Sequence, residues 1–559
     1  MKNNVERGIG MKNQFTEFTA EEVAASCCEL GEITPSKTLE FDIVVVGAGA
    51  SGVPAAGWAT ELGAKVALLQ KTSGVVSQGN CGSAIIKSRS TEAGIAKWIH
   101  HTNSLCDWRA DTKQLRAYAD HSEEAMMWFW NRAGFTKETE YGDGSKVDDN
   151  ERSAELLNDG DMLCAFRSTS GDFTGVWRDR DKTYDYGDDH CYFWAPWVGP
   201  KPLNVGHALR KIVDNLIENH PNFQVFYETP AVKLICENGD NKKVTGVIGK
   251  NADGEYILFK ASKAVILATG DYTNNAAMVE RWCPDIAEFD KKQRGKTGDG
   301  HILAMSAGAV MENPGHTKMM HDFDSALMFE EPFLFLNMNG ERFTNEYTGF
   351  VYMGNLLKYQ PSFKGSMLDK EHEDGSKGWY CAIYDDDYMN WPKDEFVDGP
   401  VPPFVMEKFI PGAVEDPKGV FKNLIDLHRC DTLSELASEL GLPYETMKAS
   451  IDRYNELCDK REDEDFGKPA KYMHKIVKAP FWGARKHIRV SAEVSGVITN
   501  ENAQALDGNG NVIEGLYCAG NLGGPFYGGA DYPFHQTGLS LGRCYTFGMI
   551  AAKHALGKL

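Results

Sequence analysis

The run LEFDIVVV at 39–46, continued by GAGASG at 47–52 and VPAAGWATELGA at 53–64, decides the fold. A short unbroken apolar run closed by glycine reads as a strand buried on both faces, the pattern of a parallel sheet. The small residues after it suit a helix, and KVALLQK at 65–71 reads as a second strand. Strand, Gly turn, helix and strand make a βαβ unit and place the chain in the α/β class, with a Rossmann-like domain. Gly47, Gly49 and Gly52 form a GxGxxG turn. The first allows the tight turn, the second admits a pyrophosphate to the backbone, and the third lets helix and strand pack closely. Ala50 and Ser51 open the helix, whose N-terminus holds the phosphates, so the unit is expected to bind a dinucleotide. The second strand ends at Gln70 and Lys71. An acidic residue there would grip ribose hydroxyls; a Gln can do so without charge assistance, with Lys71 as a helper.

Working outward, 223–270 is a second strand-rich block, and 495–559 carries strands followed by the helix-compatible SLGRCYTFGMIAAKHAL. Between 313 and 480 the texture changes to irregular loops and one long acidic helix, LSELASELGLPYETMKASIDRYNELCD. The expected organisation is a lead-in over 1–37, with a short helix in TAEEVAASCCEL, then a dinucleotide-binding domain in two segments, 38–312 and 481–559. An α+β domain over 313–480 is inserted between them.

The chain has 559 residues, 42% hydrophobic and 25% charged, which is ordinary globular usage and excludes disordered and fibrous classes. Its net charge of −21 repels nucleic acid and anionic membrane surfaces. Thirteen Cys without a Cys-x-x-Cys pair argue against a disulfide framework and against a metal site, and Cys27 and Cys28 read as free thiols. The N-terminus lacks an apolar signal region and no run of about 18 apolar residues follows, so a cytoplasmic location is expected. Aromatics, 11% of the chain, fall in clusters.

GAGASGVPAA, SQGNCGSA at 77–84, ILATGDYTNN at 266–275, KTGDGHILAMSAGA at 296–309, NGERFTNE at 339–346 and GLYCAGN at 515–521 together resemble the FAD-dependent fumarate reductase and 3-ketosteroid dehydrogenase flavoproteins. The resemblance implies FAD as cofactor and a capping domain that closes over the flavin. It places Gln78, Gly79, Asn80 and Ser83 near the ring, and Val232, Thr269, Gly270, Asp299, Gly520 and Asn521 among the FAD-binding residues. Gly538, Ser540 and Leu541 present a helix N-terminus to the pyrimidine end of the flavin.

Fumarate-reducing members of that family carry an Arg four residues after RFxNE, a His in HTxGG and a second Arg. Here those positions read Phe350, the stretch Ala492-Glu493-Val494-Ser495-Gly496, and His535. Two carboxylates in a closed site need fixed cations, so a dicarboxylate substrate is disfavoured. Arg342 reads as an ion pair inside the cap, with Glu341 and Glu346 as partners. Aromatics stand where the cations should be, in GGPFYGGADYPFHQTG at 523–538 and YTGFVYMGN at 347–355, and a third, loop-like group is YDYGDDHCYFWAPW at 184–197. Such clusters suit a large, flat, apolar ligand with one polar end. Tyr532-Pro533 resembles the Tyr-Pro loop of the steroid enzymes, where the Tyr binds a ketone oxygen, and a packing or hydroxyl-capping role for this Tyr stays open.

The expected reaction is hydride transfer from flavin N5 to a C=C bond conjugated to a ketone, in a 3-oxo-4-ene or 1-ene steroid or bile-acid-like substrate. Tyr532 would be the electrophile, and Tyr347, Tyr352 or His535 the proton donor. His316 reads as a substrate contact or a satisfied structural His. NADH, reduced flavin or ferredoxin would supply electrons in an anaerobic setting. Alternatives are reduction of a fumarate- or acrylate-type acid, using Arg342 with Lys358 or His535, and a flavin electron-transfer subunit.

Overall fold

The computed structural model describes residues 31–79, 81–134, 185–195, 205–237, 243–324, 331–347, 352–365, 374–392, 395–396, 400–413, 426–534 and 536–559. The helix expected in TAEEVAASCCEL, Cys27, Cys28, Asn80, Phe350 and His535 lie outside the described residues. In chain order the principal strands are β1 (Lys37–Val46), β2 (Val66–Leu69), β3 (Phe223–Phe226), β4 (Ala231–Cys236), β5 (Val244–Lys250), β6 (Tyr256–Leu267), β7 (Lys318–Asp324), β8 (Leu334–Leu336), β9 (Trp379–Asp385), β10 (Leu427–Cys430), β11 (Phe481–Glu493), β12 (Gln504–Leu506) and β13 (Val512–Cys518). The helices that bear on the site are α1 (Gly52–Glu61), α2 (Glu92–Leu105), α3 (Thr112–Ala133), α4 (Asp299–Ser306), α5 (Leu433–Leu440), α6 (Tyr444–Lys460) and α7 (Leu539–Ala555).

The predicted βαβ unit is present, and its first strand is central. The main sheet runs β12-β13-β6-β1-β2-β3, with β5 and β4 joined beside β6. β1 lies parallel to both β6 and β2, and Ile43, Val44 and Val45 are fully buried, as the unbroken apolar run requires. Ile43 and Val45 face one core and Val44 and Val46 the other. A register shift between Phe41 and Ile43 puts Phe41 on the side of Val44. β6 changes partners along its length: Tyr256–Lys260 pairs antiparallel with β5, and Val265–Leu267 pairs parallel with β13. That switch brings the chain after residue 511 back beside the first glycine turn.

Small residues let the helices close on this sheet. α7 packs across α1 and α3. A Cβ on Gly548 would sit 2.3 Å from the Ser51 carbonyl oxygen, and one on Gly57 would sit 2.5 Å from the Trp128 ring.

A second sheet of five strands runs β7-β11-β9-β8, with β10 also on β11, all antiparallel. Its long strand β11 begins at Phe481, just beyond residue 480, and ends at Glu493 beside the main domain. The long acidic helix of the sequence reading is instead two helices. α5 starts on a Thr432/Glu435 capping box and stops at Gly441 with φ 69°, and α6 restarts after Pro443. Among the described residues no helix is long and apolar enough to cross a membrane.

Candidate functional site

The first glycine turn is closed on all sides but one. Gly47 has φ 104°, and a Cβ there would lie 2.4 Å from the Ala268 carbonyl oxygen. At Gly52 it would lie 1.8 Å from the Gly47 oxygen, whereas at Gly49 the nearest atom, Val76 O, is 3.3 Å away. Gly49 is therefore the point where something can approach the backbone. α1 begins at Ser51 with no side-chain cap, leaving its first N–H groups for an anion. Gly270, with φ 80° and open space around it, faces the same end of the sheet from β6. The buried Thr269 Oγ1, Gln78 Oε1 and Thr537 Oγ1 have no hydrogen-bond partner among the described residues. A glycine cradle, an uncapped helix and orphaned polar atoms are what a phosphate-bearing, polar-edged cofactor requires.

Gln70 spends its amide inside the protein. Its Oε1 accepts from Ala48 N at 3.1 Å, and its Nε2 donates to Thr72 Oγ1 at 2.6 Å and Gly74 O at 3.0 Å, bracing the loop beyond β2. Lys71 pairs with Asp299 at 3.0 Å, at the first turn of α4. Gln78 Nε2 donates to Ser491 O at 2.6 Å, and a Cβ on Gly79 would press on Leu541. Ser83 bonds the Tyr118 hydroxyl at 2.9 Å. Val232 is buried in β4. Gly520 has φ 73° and abuts Ser51, and Asn521 lies beside Cys544.

The loop 523–538 leads into α7, which starts at Gly538 with φ 77°. Ser540 N donates to the Tyr532 hydroxyl at 3.0 Å, and that hydroxyl is turned to Gln536 O at 3.4 Å. Tyr532 thus serves as an acceptor for a free amide at the helix start, and burial pushes its phenol upward. Tyr347 stacks on Tyr472 with centroids 4.3 Å apart, and Tyr352 is 49% exposed at the start of a short helix.

Several rings of the expected aromatic clusters are buried. Phe526, Tyr527 and Tyr532 are buried with Tyr118, Phe547 and Tyr545 in the core beneath α7, and Phe193 packs near Trp98. Phe526 and Tyr527 pack in the space that the small residues of α7 leave.

A buried polar cluster that the motifs did not reveal sits between β11 and the main domain. His316 Nδ1 meets the Tyr272 hydroxyl at 2.7 Å and Glu493 Oε1 at 3.6 Å, and its Nε2 lies 3.1 Å from Glu312 O. Glu312 Oε1 accepts from Gly496 N at 3.0 Å, and Glu493 Oε1 from Ser495 N at 2.5 Å. Burial dominates their protonation. It pushes Glu312 up to about 7 against the pull of that amide and Arg543, and holds His316 down at about 4 and His301 at about 3. Glu493 is raised well above the carboxylate range by burial and then by Asp271. His316 is thus a hydrogen-bonded neutral His. The one legible signal was Glu493 in the stretch where relatives keep HTxGG.

Five cations of the two domains are committed to internal partners. Arg342 is held by Glu346 at 2.8 Å and Asp463 at 2.7 Å. Asp463, 121 residues on, takes the place expected for Glu341, which accepts from Asn337 instead. Lys358 pairs with Asp285, Lys318 with Asp531 at 3.0 Å and Lys296 with Asp271 at 2.9 Å. Arg543, buried within α7, bonds the carbonyls of Val494, Gly520 and Gly523. It ties the end of β11 to the turn after β13, and a lone Arg in the apolar run SLGRCYTFGMIAA was its sequence signal.

A dinucleotide turn, a chain that returns through β13 beside it, and a second sheet leaning on the site define an FAD-binding oxidoreductase acting on C=C or CH–CH bonds. The chain belongs to the FAD binding domain family, which it matches over residues 42–532. It is 25% identical to the vinyl phenol reductase of Lactiplantibacillus plantarum, over 94% of this chain and 98% of that one. With the 3-oxosteroid 1-dehydrogenase of Mycobacterium tuberculosis it shares 25% identity over 65% of this chain, and spans 64% of that protein's length. Its fold matches the 3-ketosteroid Δ1-dehydrogenase of Sterolibacterium denitrificans with a TM-score of 0.62 at 18% identity, covering 93% of this chain and 100% of that one. FAD is therefore the cofactor, and the expected α/β flavoprotein fold and family hold.

Proposed function

We propose that the protein reduces a carbon–carbon double bond conjugated to a flat unsaturated group, an aryl ring in the first instance, in a substrate carrying at most one negative charge. The commitment of Arg342, Lys358, Lys318, Lys296 and Arg543 to internal partners supports this reading. With these five cations committed, none of them offsets the desolvation of a dicarboxylate. The full-length similarity to a vinyl phenol reductase agrees with it.

FAD would be held by Gly47, Gly49, Ala50, Ser51 and Gly52 at its pyrophosphate, and by Thr269, Gly270, Gly520 and Asn521 across the strand ends. Gln78, Gly79, Gly538, Ser540 and Leu541 would lie at the ring. Asp299 fixes Lys71 beside the first turn, and Gln70 shapes the loop around the ribose rather than gripping it. When bound, FAD supplies the hydride or takes it up. The protein orients the alkene, keeps water out beneath the sheet of β7 to β11, and polarises the conjugated group. We place β11 in the cap, so the second FAD segment starts after Glu493. Electrons come from an external donor, with NADH, reduced flavin and ferredoxin as the candidates.

A second reading, a 3-oxo-4-ene or 1-ene steroid, is favoured by Tyr532. Its hydroxyl accepts the Ser540 amide at the N-terminus of α7, which polarises the phenol as a donor to a ketone. Purified enzyme reoxidising reduced viologen separates the readings. Turnover of 4-vinylphenol or cinnamate without fumarate is expected; turnover of a Δ4-3-oxosteroid alone moves the assignment to the second reading, and of fumarate alone overturns both.

A further inference from the structure

Five polar side chains meet at the boundary between the cap and the FAD-binding domain, with both acids on one side and both cations on the other. Asp285 and Asp531 belong to the FAD-binding domain, and Lys318, Asn355 and Lys358 to the cap. Lys318 Nζ lies 3.0 Å from Asp531 Oδ1 and 3.6 Å from Asp285 Oδ2. Lys358 pairs with Asp285, and Asn355 Nδ2 donates to Asp531 Oδ2 at 2.7 Å. Each of these contacts crosses the boundary, so the set draws the two domains together.

The two ends of the network are held differently. Lys318 is anchored by its main chain: its N donates to Ala530 O and its O accepts from Tyr532 N, both at 3.0 Å, and its side chain is 3% exposed. Asn355 lies on the short helix Met353–Leu357 and Lys358 directly follows it. That helix rests on the cap's own β7 at Gly354, where a Cβ would sit 2.8 Å from Met320 Sδ. Its pair to the other domain is open to solvent, with Lys358 33% and Asp285 42% exposed. A buried lysine inside main-chain pairing makes a fixed point, whereas a solvent-reached pair is a fastening that water and salt compete for. Asp531 directly precedes Tyr532, which accepts the Ser540 amide at the start of α7. The short helix is therefore fastened to the loop that leads into α7.

We propose that the Lys358–Asp285 and Asn355–Asp531 contacts form an electrostatic clasp that holds the helix Met353–Leu357 over the loop 523–538, and that its release opens the way to the flavin. The inference rests on the placement of the flavin ring at Gly538 to Leu541 and is independent of which alkene is reduced. Two measurements on the FAD-loaded enzyme test it: hydrogen exchange of the backbone at 352–358 and 528–532, with β9 as internal control, and the rate at which dithionite bleaches the bound flavin. An ion pair this exposed shifts an opening equilibrium by about 2- to 5-fold, and a hydrogen bond to a carboxylate by about 10-fold. Raising the salt from about 20 mM to about 500 mM should speed exchange and bleaching in wild type by the smaller factor. Lys358→Met and Asp285→Asn should each do the same at low salt and blunt the salt response, and the double variant should match the stronger single, because either change releases one contact. Asn355→Ala should give about a 10-fold effect. Loss of a lysine charge alone would slow an anionic reductant, so faster bleaching in Lys358→Met reports opening. Multiplying effects in the double variant, or exchange that rises equally in β9, would overturn the clasp. Faster exchange at 352–358 with unchanged bleaching would overturn its control of the flavin, whatever the substrate proves to be.

Discussion

The turn at 47–52 and the loop at 523–538 are both glycine-rich and both feed a helix, yet they are built on opposite principles. In the first, glycines work by what they lack: Gly47 and Gly52 have no space for a Cβ, and Gly49 leaves an opening. In the second, side chains decide the geometry, with Tyr532 capping α7, Phe526 and Tyr527 filling its core and Arg543 gathering three carbonyls. A turn specified by exclusion is intolerant of any added atom, while one specified by packing responds in proportion to the contact removed. Substitutions can break or sharpen that contrast.

The largest effect belongs to the first turn. Gly52→Ala would put a Cβ 1.8 Å from a backbone oxygen, which neither side can relax by rotating a side chain. We expect a loss of about 4 kcal/mol or more and purification without flavin, read from the flavin absorbance per protein. Gly49→Ala meets Val76 O at 3.3 Å, so the chain should fold with near-normal stability while losing FAD affinity. If both variants behave alike, the assignment of Gly49 as the approach point fails.

Next comes a cation that sequence alone could have taken for a substrate clamp. Arg342→Gln leaves the buried Glu346 with Lys468 alone as its cation and Asp463 with backbone amides alone, at a cost of about 2–3 kcal/mol in thermal or denaturant unfolding, with FAD retained and KM unchanged. A KM change without destabilisation would return Arg342 to the substrate site.

The buried cluster gives a pH signature. Glu312 favours its neutral form when folded, so its stabilisation is full below about pH 4.5 and is lost as pH rises toward 7. His316 has the opposite sign: its folded form is neutral, and stability is lost as pH falls from about 6.5 toward 4. Glu312→Gln should remove an alkaline-side loss of about 3 kcal/mol between pH 4.5 and 7, measured by denaturant titration at each pH. An unchanged pH profile would mean that Glu312 is charged in the folded protein.

The same contrast explains what could be read from the sequence. The βαβ unit, the GxGxxG turn and the α7 helix follow from local periodicity and glycine spacing, so LEFDIVVVGAGASG announced them. The cluster of Tyr272, Glu312, His316 and Glu493 joins four positions spread over more than 200 residues, and no local pattern encodes that meeting. Asp463 replaced Glu341 beside Arg342 for the same reason: the i,i+4 neighbour Glu346 was visible, but the partner across the α6 turn was not. The burial of Phe526 and Tyr527 was not legible, because composition reports ring content but not which face of a loop is covered. Gly441-Leu442-Pro443 was a legible helix break within the acidic segment, overlooked because the apolar periodicity continues on both sides of it.

The smallest effect is the most discriminating. In Tyr532→Phe the ring still packs against Tyr527 and Phe534, and what is removed is one acceptor for the Ser540 amide and one weak bond to Gln536. As a helix cap, that hydroxyl is worth about 1 kcal/mol. Turnover of an aryl alkene should then stay within about threefold of wild type while the melting temperature drops slightly, because such a substrate offers no ketone for the phenol to polarise. A 3-oxosteroid would develop charge on its oxygen in the transition state, and loss of the donor would slow that reaction by about 10- to 1000-fold. Steady-state rates on both substrates therefore assign the hydroxyl to the helix or to the chemistry: a large loss on the steroid, with the alkene unaffected, would mean that the loop built by packing also holds the electrophile.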